Sequence, residues 1–449
     1  MQAFAALIDG LIYTRSRDHK VRLIAEYLRD TPDPDRGWAL AALAGTLSIA
    51  TVKSAAIRAM AEERFDPMLF RMSRDYVGDT AETVALMWPD IAGEAVAPKV
   101  SEVIDLLNNT SRARAPNLLA ELMDRLDANG RYALLKLATG GMRVGISARL
   151  AKTAFGQAFG VSVDDVEEVW HALRPPYAEL FAWGEGKSER PDPADSAFFR
   201  PFMLAHPLED ERLDLEDFAA EWKWDGIRIQ IASTGGETRL FSRGGDEVTA
   251  AFPEIAAAFN GIGVVDGELL VRGDVQGGEA ASFNALQQRL GRKNVTAAMQ
   301  AEYPVFVRLY DILFDGAEDM RSQPWTVRRE RLELFAARLD PVRFDLSAII
   351  EARDFDHLAE MRAAARAAAI EGVMLKRRDA PYLAGRKVGL WYKWKREPLV
   401  ADCVMMYAQR GSGKRSSFYS DYTFGCWTPD GALLPVGKAY SGFSDEELK

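Results

Sequence analysis

Apolar and polar positions divide the chain into a helical first part and a strand-rich remainder. Val21, Ile24, Ala25 and Leu28 recur at the spacing of one helix face, and Thr31-Pro32-Asp33-Pro34 stops the pattern. Ser101 can cap a helix carrying Val103, Ile104, Leu106 and Leu107. Leu118, Leu119, Leu122, Met123 and Leu126 form another apolar face, which Asn129-Gly130 is expected to end. Ser162 and Asp165 have capping-box spacing ahead of Val166, Val169, Trp170 and Leu173, and Arg174-Pro175-Pro176 closes that helix. No strand-like run competes, so residues 1–200 predict an all-α domain.

A polar, Pro-rich stretch between Trp183 and Pro201 reads as a linker. After it strands and helices mix, with strand-like runs at Gly263–Val271, Tyr303–Phe314 and Gly372–Arg377. The alanine-rich run Arg362–Ile370 reads as a helix. From about Pro398 strands dominate, with alternation over Val400–Tyr407 and Ser417–Trp427 joined by Gly411-Ser412-Gly413. The expected boundaries are therefore 1–200 for the helical domain, 201–397 for an α+β domain and 398–449 for a β-rich part. There are no internal repeats or heptads.

A length of 449 residues agrees with more than one domain. The apolar share of 48% with 27% charged residues describes a soluble globular chain. No apolar run reaches membrane-spanning length, and Met1 to Gly10 lacks the pattern of a signal peptide. A cytoplasmic protein is expected, nucleoid-associated if bacterial, with no membrane partner. The two cysteines, Cys403 and Cys426, form no C-x-x-C pair, which excludes a zinc finger or a disulfide framework. The four scattered histidines read as ordinary side chains. A net charge of −10 argues against indiscriminate coating of nucleic acid but allows a locally basic DNA groove.

The stretch that can carry chemistry is Glu221-Trp222-Lys223-Trp224-Asp225-Gly226-Ile227-Arg228. Tryptophans alternate with Lys223, and isoleucines alternate after Asp225-Gly226, so the lysine sits at a strand end beside a sharp turn. Taken alone the run also suits an ordinary hairpin. It resembles motif I, K-x-D-G-x-R, of nucleotidyltransferases that attach AMP or GMP to their own lysine. Further stretches follow in the matching order. They are Ser242-Arg243-Gly244-Gly245, Asp266-Gly267-Glu268 (motif III), Tyr310-Asp311 (motif IIIa), Glu371-Gly372-Val373-Met374 (motif IV) and Trp391-Tyr392-Lys393-Trp394-Lys395 (motif V). Each alone has a bland reading as a turn, strand start or edge strand. Together, in order, with a helical part before and a β-rich part after, they resemble the three-domain ATP-dependent DNA ligases over nearly the whole chain.

That resemblance implies an all-α DNA-binding domain, an α+β nucleotidyltransferase (adenylation) domain and a partial β-barrel OB-fold. It implies that Lys223 attacks the α-phosphorus of ATP, which needs an uncharged amine. Burial and the nearby Lys393 and Lys395 would disfavour the charged form, and both lysines would stabilise the α-phosphate. Glu221 matches the residue accepting from the adenine amino group, and Tyr310 the aromatic stacked on the base. Arg228 and Arg243 match residues holding the ribose and phosphates. Glu268 and Glu371 are the candidate ligands for Mg²⁺, and Glu268 also counts among the ATP contacts.

In the helical part, Thr139–Ser147 holds Gly140, Gly141 and Arg143, with Ser147 capping the next helix. Its amides and arginine suit a phosphate, and a plain Gly-rich connector suits the residues equally. The resemblance to the ligases' duplex-binding helical domain implies that Gly140, Gly141 and Arg143 bind DNA. Gly411-Ser412-Gly413-Lys414-Arg415 fails as a P-loop, because Ala408 and Arg415 occupy required positions. A basic hairpin on DNA or a solvated loop both fit it.

The expected function is ATP-dependent sealing of nicks in double-stranded DNA by a monomer, in replication, repair or recombination. The pathway and protein partners are not indicated. The family's later basic motif VI has no match between Pro398 and Lys449. A slow first step and a truncated chain are expected from this. Two alternatives share features: a non-catalytic nick-binding protein, and another lysyl-nucleotidyltransferase such as an RNA ligase or capping enzyme. An NAD-dependent relative would need zinc-finger cysteines that are lacking.

Overall fold

The computed structural model describes the chain except residues 91–95, 143, 192–196, 210–211, 273–285, 291, 293–294, 366–368, 398–399, 412–416, 441, 445 and 449. The chain divides into two units, Met1–Val166 with Leu173–Pro191 and Leu399–Lys449, and Glu167–Ala172 with Asp192–Pro398.

In the first unit, the described residues before Pro191 are helical, without a strand. The helix Arg17–Asp30 buries Val21, Ile24, Ala25 and Leu28, as their spacing predicts, and Ser16 caps it by accepting from the His19 N–H. Two expected ends differ. The helix at Val100–Asn108 holds Ser101 inside its first turn, not ahead of it. Its start is capped from a distance by Asp35, which accepts from the Val100 and Ser101 amides at 3.2 and 3.0 Å. Asn129-Gly130 does not end a helix either. The helix Ala115–Met123 stops earlier, and Asp127 opens Ala128–Thr139 by accepting from Gly130 N–H at 2.8 Å. A side-chain cap outweighs the turn preference of Asn-Gly. Among the described residues no helix is long and apolar enough to cross a membrane.

The second unit is built from strands in two main sheets. The strands in chain order are β1 Met203–Leu204, β2 His206–Pro207, β3 Phe218–Trp224, β4 Ile227–Ser233, β5 Thr238–Ser242, β6 Gly263–Val271, β7 Val305–Asp315 and β8 Glu318–Asp319. β9 Phe344–Leu346, β10 Ile370–Arg377, β11 Gly385–Arg386 and β12 Trp391–Lys395 follow. One sheet has the order β2-β12-β10-β3, the other β5-β4-β6-β7-β8, with β9 parallel to β7. β3 and β4 are consecutive in the chain but lie in different sheets, so Asp225-Gly226 is where the chain crosses from one to the other.

Alternation gives each sheet a core face. In β4, β6 and β7, Ile229, Ile231, Val265, Leu269, Val307 and Leu309 pack with Phe335 and Leu332 of the helix Trp325–Ala336. In the other sheet, Phe218, Ala220, Val373, Leu375 and Tyr392 pack against Leu358 and Ile350. Leu358 lies on the helix Phe355–Ala364, where alanine-rich helix ends sooner than expected; Ile370 already belongs to β10. Ile370 takes part in the ladder opposite Trp224, and strand pairing overrides the local helix preference there.

Two clusters of buried polar groups inside this unit are paired. Arg328 and Asp311, both buried, form a two-pronged ion pair at 2.8 and 3.0 Å. Asp266, fully buried, accepts from Arg228, Gln230 and the Tyr382 hydroxyl at 3.0, 2.9 and 2.6 Å.

In the C-terminal part, β13 Val404–Arg410, β14 Tyr419–Trp427 and β15 Leu433–Ala439 form an antiparallel sheet in that order. The expected basic hairpin falls on residues outside the described ones at 412–416. Cys403 and Cys426 are free thiols with their Sγ atoms 3.4 Å apart, a proximity the sequence spacing does not reveal.

At Gly226 a Cβ would lie 2.4 Å from the Leu269 carbonyl oxygen and 2.9 Å from Glu268 Cγ. Gly226→Ala should therefore force β4 and β6 apart, at about 1–3 kcal/mol. Thermal unfolding of the variant, several degrees below wild type, checks this; an unchanged melting temperature would contradict it.

Candidate active site

The faces turned away from these cores line one cavity of about 760 Å³ in the second unit. Register explains which residues meet there. Met374 of β10 lies opposite Glu221 of β3 and Lys393 of β12, and Gly372 lies opposite Lys223 and Lys395. Since alternate residues share a face, Glu221 and Lys223, Met374 and Lys376, and Trp391, Lys393 and Lys395 stand on one surface. The second sheet adds Arg228, Glu268 and Tyr310, and the turn after β5 adds Arg243. All nine residues expected at the nucleotide and metal sites therefore line the same cavity: Glu221, Lys223, Arg228, Arg243, Glu268, Tyr310, Glu371, Lys393 and Lys395.

Glu371 sits at a register shift of β10 next to Gly372. A Cβ on Gly372 would come within 2.2 Å of the Trp394 carbonyl oxygen, so only glycine lets β12 pass this close. Glu371 Oε2 lies 2.9 Å from Lys223 Nζ and 3.1 Å from Lys395 Nζ. Burial alone would raise this carboxyl; the two ammonium groups overcome it and hold it below the ordinary range. The expected lysine neighbourhood is therefore mediated by an acid: Lys223 and Lys395 share one carboxylate oxygen.

Glu268 accepts from the Gly226 N–H at 3.2 Å. Burial pushes its carboxyl up to about 7, although Lys223 and Arg228 pull it down. Burial likewise raises Asp225, with Glu371 adding to the effect. Lys393 is lowered by burial and by Arg386, Lys395, Arg243 and Lys223 around it. Arg228 differs from the expectation in its partners: its guanidinium donates to the Met203 carbonyl at 2.8 Å and to Asp266, and lies over the Phe202 ring.

Glu268 and Glu371 are close enough for each to influence the other's charge. Among the described residues no group of three or more His, Cys, Asp or Glu side chains could hold a metal. Two carboxylates with remaining positions open to water and phosphate fit Mg²⁺, which keeps several waters and binds through few protein ligands.

The profile of the family described as "ATP dependent DNA ligase domain" matches residues 202–395. A "Probable DNA ligase" of Anaeromyxobacter sp. is 33% identical, over 84% of this chain and 74% of its own. The chain belongs to the ATP-dependent DNA ligase family. A "Probable DNA ligase" of Koribacter versatilis is 28% identical over 100% of this chain and 84% of its own. The "DNA ligase" of Methanococcoides burtonii is 31% identical over 71% of this chain, which spans only 57% of that relative. The solved structure "Pmar-Lig_PreS3" shares the fold, with a TM-score of 0.62, 16% identity, and coverage of 99% of this chain and 89% of its own. The helical part, the mixed-sheet adenylation domain and the C-terminal sheet are thus the architecture of a multi-domain ATP-dependent ligase, an enzyme class that joins DNA ends using ATP and Mg²⁺.

The expected DNA-contact loop reads differently in this ligase fold. Gly140 is left-handed, with φ 69°, and its N–H bonds to the Leu137 carbonyl. The Gly141 N–H bonds to the Lys136 carbonyl at 3.2 Å. Both amides close the end of the helix Ala128–Thr139, so the reading that they are free for a phosphate is corrected. Arg143 lies outside the described residues. Ser147 does cap the next helix, accepting from Leu150 N–H at 3.2 Å.

Sequence reasoning missed Lys376, whose ammonium lies 2.8 Å from Glu221 Oε1. Counting alternate residues on from Met374 would have placed it on the cavity face.

Glu268 gives a pH test. Its folded form keeps a proton to about 7, whereas free glutamate loses it near 4.5, so the fold loses stability as pH rises through that window. Glu268→Gln mimics the protonated acid and does not titrate. Its melting temperature relative to wild type should climb from about pH 4.5 to about pH 7 and level off above. Thermal unfolding across that range checks it; a constant difference would place the Glu268 proton elsewhere.

Proposed function

We propose that the chain seals nicks in duplex DNA, as a monomer, through a lysyl-AMP intermediate at Lys223. The observation that carries this is the Lys223 amine opening into the same cavity as Glu371, Lys395, Glu268 and Tyr310. Lys223 first gives up a proton to solvent; the neutral amine attacks the α-phosphorus of ATP, an N–P bond forms, the bond to pyrophosphate breaks, and a further proton leaves the nitrogen for solvent. Glu371 orients the amine, and Lys393, Lys395 and Arg243 surround the region where phosphate charge builds. Glu221 and Tyr310 take the base, and Arg228, held by Asp266, takes the ribose side. Glu268 and Glu371 hold Mg²⁺, which neutralises phosphate charge when bound.

A 5′-phosphate oxygen at the nick then attacks the AMP phosphorus and breaks the N–P bond, giving a DNA-adenylate. Attack by the 3′-hydroxyl on the 5′-phosphate forms the phosphodiester and releases AMP. The helical part, with Arg143, supplies contacts to the duplex.

Incubation with ATP followed by intact mass tests the first step. The expected result is a gain of one AMP, absent with NAD. Lys223→Ala should lower adduct formation more than about ten-thousand-fold. The same variant should still join a nick that already carries AMP, because that step makes no lysine–AMP bond. A normal adduct on Lys223→Ala would overturn the assignment of the nucleophile, and failure of wild type to join any nick would overturn ligation.

A further inference from the structure

Glu221 and Lys376 form an ion pair at 2.8 Å, and each side chain is only 2% exposed. They sit on neighbouring antiparallel strands, Glu221 opposite Met374 and Lys376 opposite Ala219, so they meet diagonally across the β3–β10 ladder. The ammonium is fixed from several sides. It donates to the Tyr310 carbonyl at 3.1 Å and lies 4.7 Å from the Tyr310 ring centre and 4.9 Å from that of Trp391. A buried lysine with a carboxylate, a carbonyl and two ring faces around it has one place to be.

We propose that Lys376 is a positioning residue that sets the choice of nucleobase by fixing Glu221 as an oriented acceptor for an exocyclic amine. The proposal rests on the nucleotide reading of this cavity. Lys376 occupies Oε1 and leaves Oε2 as the acceptor that Glu221 brings to the cavity it lines. Adenine offers a 6-amino donor there, whereas guanine offers a 6-oxo acceptor. A carboxylate facing an oxo group has no proton to share and repels it. A lone buried carboxyl would tend to take up a proton and could then donate to guanine instead. The ammonium removes that second option, and an unpaired buried polar group is what makes a wrong base costly.

Equilibrium binding of AMP and of GMP, by calorimetry, tests this without needing turnover. Wild type should bind AMP the more tightly. Lys376→Met should shrink the AMP-over-GMP ratio at least about tenfold, mainly by weakening AMP. Lys376→Arg, which keeps the cation, should retain most of the preference. A merely structural role would weaken both nucleotides by the same factor, and that result overturns the proposal, as does a wild type that binds the two equally. Should the methionine variant fail to fold, Lys376→Gln replaces it; equal preference in the glutamine and arginine variants would likewise overturn the proposal. Adduct formation from ATP, measured in parallel, separates the two readings: discrimination without an adduct leaves the base-selection role standing and removes the transferase chemistry.

Discussion

One carboxylate shared by two ammonium groups governs the geometry of this cavity. Glu371 can reach both Lys223 and Lys395 only if β3, β10 and β12 run side by side in a fixed register. That register depends on Gly372, where any side chain would strike the β12 backbone. A slip of one residue would turn Lys223, Glu221 and Lys376 toward the hydrophobic core and bring Val373 and Leu375 into the cavity. The opposite face of the same strands carries Phe218, Ala220, Val373 and Leu375, whose burial makes such a slip unfavourable. Core packing and chemistry are thus set by the same alternation.

The second sheet supplies buried polar groups at a cost that pairing has to offset. Asp266, Asp311 and Arg328 leave water almost completely, and Arg228 largely does. Burial raises Asp266, while Arg228, Tyr382 and Gln230 favour its charged form. Replacing such pairs with apolar residues often leaves stability unchanged, so their value here is orientation. Arg228 is tethered to β6 and to the Met203 carbonyl, which keeps its guanidinium at the wall of the cavity. Glu268 is the contrasting case: Lys223 and Arg228 only partly offset its burial, and its carboxyl is pushed up to about 7. A cation in the cavity would favour the ionised form.

The helical part shows the limit of reading loops by composition. Glycines beside an arginine suggest free amides, yet Gly140 and Gly141 use theirs to close a helix. Asn129-Gly130 suggests a helix end, yet Asp127 makes it a helix start. In both places the competing partner is a backbone group or a cap within a few residues. Asp35 acts from much farther along the chain, on the start of the helix at Val100.

The sequence by itself determined most element types and, through the resemblance of its ordered motifs, the family and nine of the residues that line the cavity. Those follow from local facts: strand alternation selects a face, helix spacing selects a stripe, and the ordered motifs carry the chemistry. Tertiary structure alone decided which side chains pair. The carboxylate between Lys223 and Lys395, the lysine that holds Glu221 and the tether of Arg228 to Asp266 all join residues of different strands, distant in the chain. The same holds for the two thiols that meet at 3.4 Å across the C-terminal sheet. Sequence spacing cannot supply such contacts, because strand order and register, which bring them about, are fixed only when the sheets close on their cores.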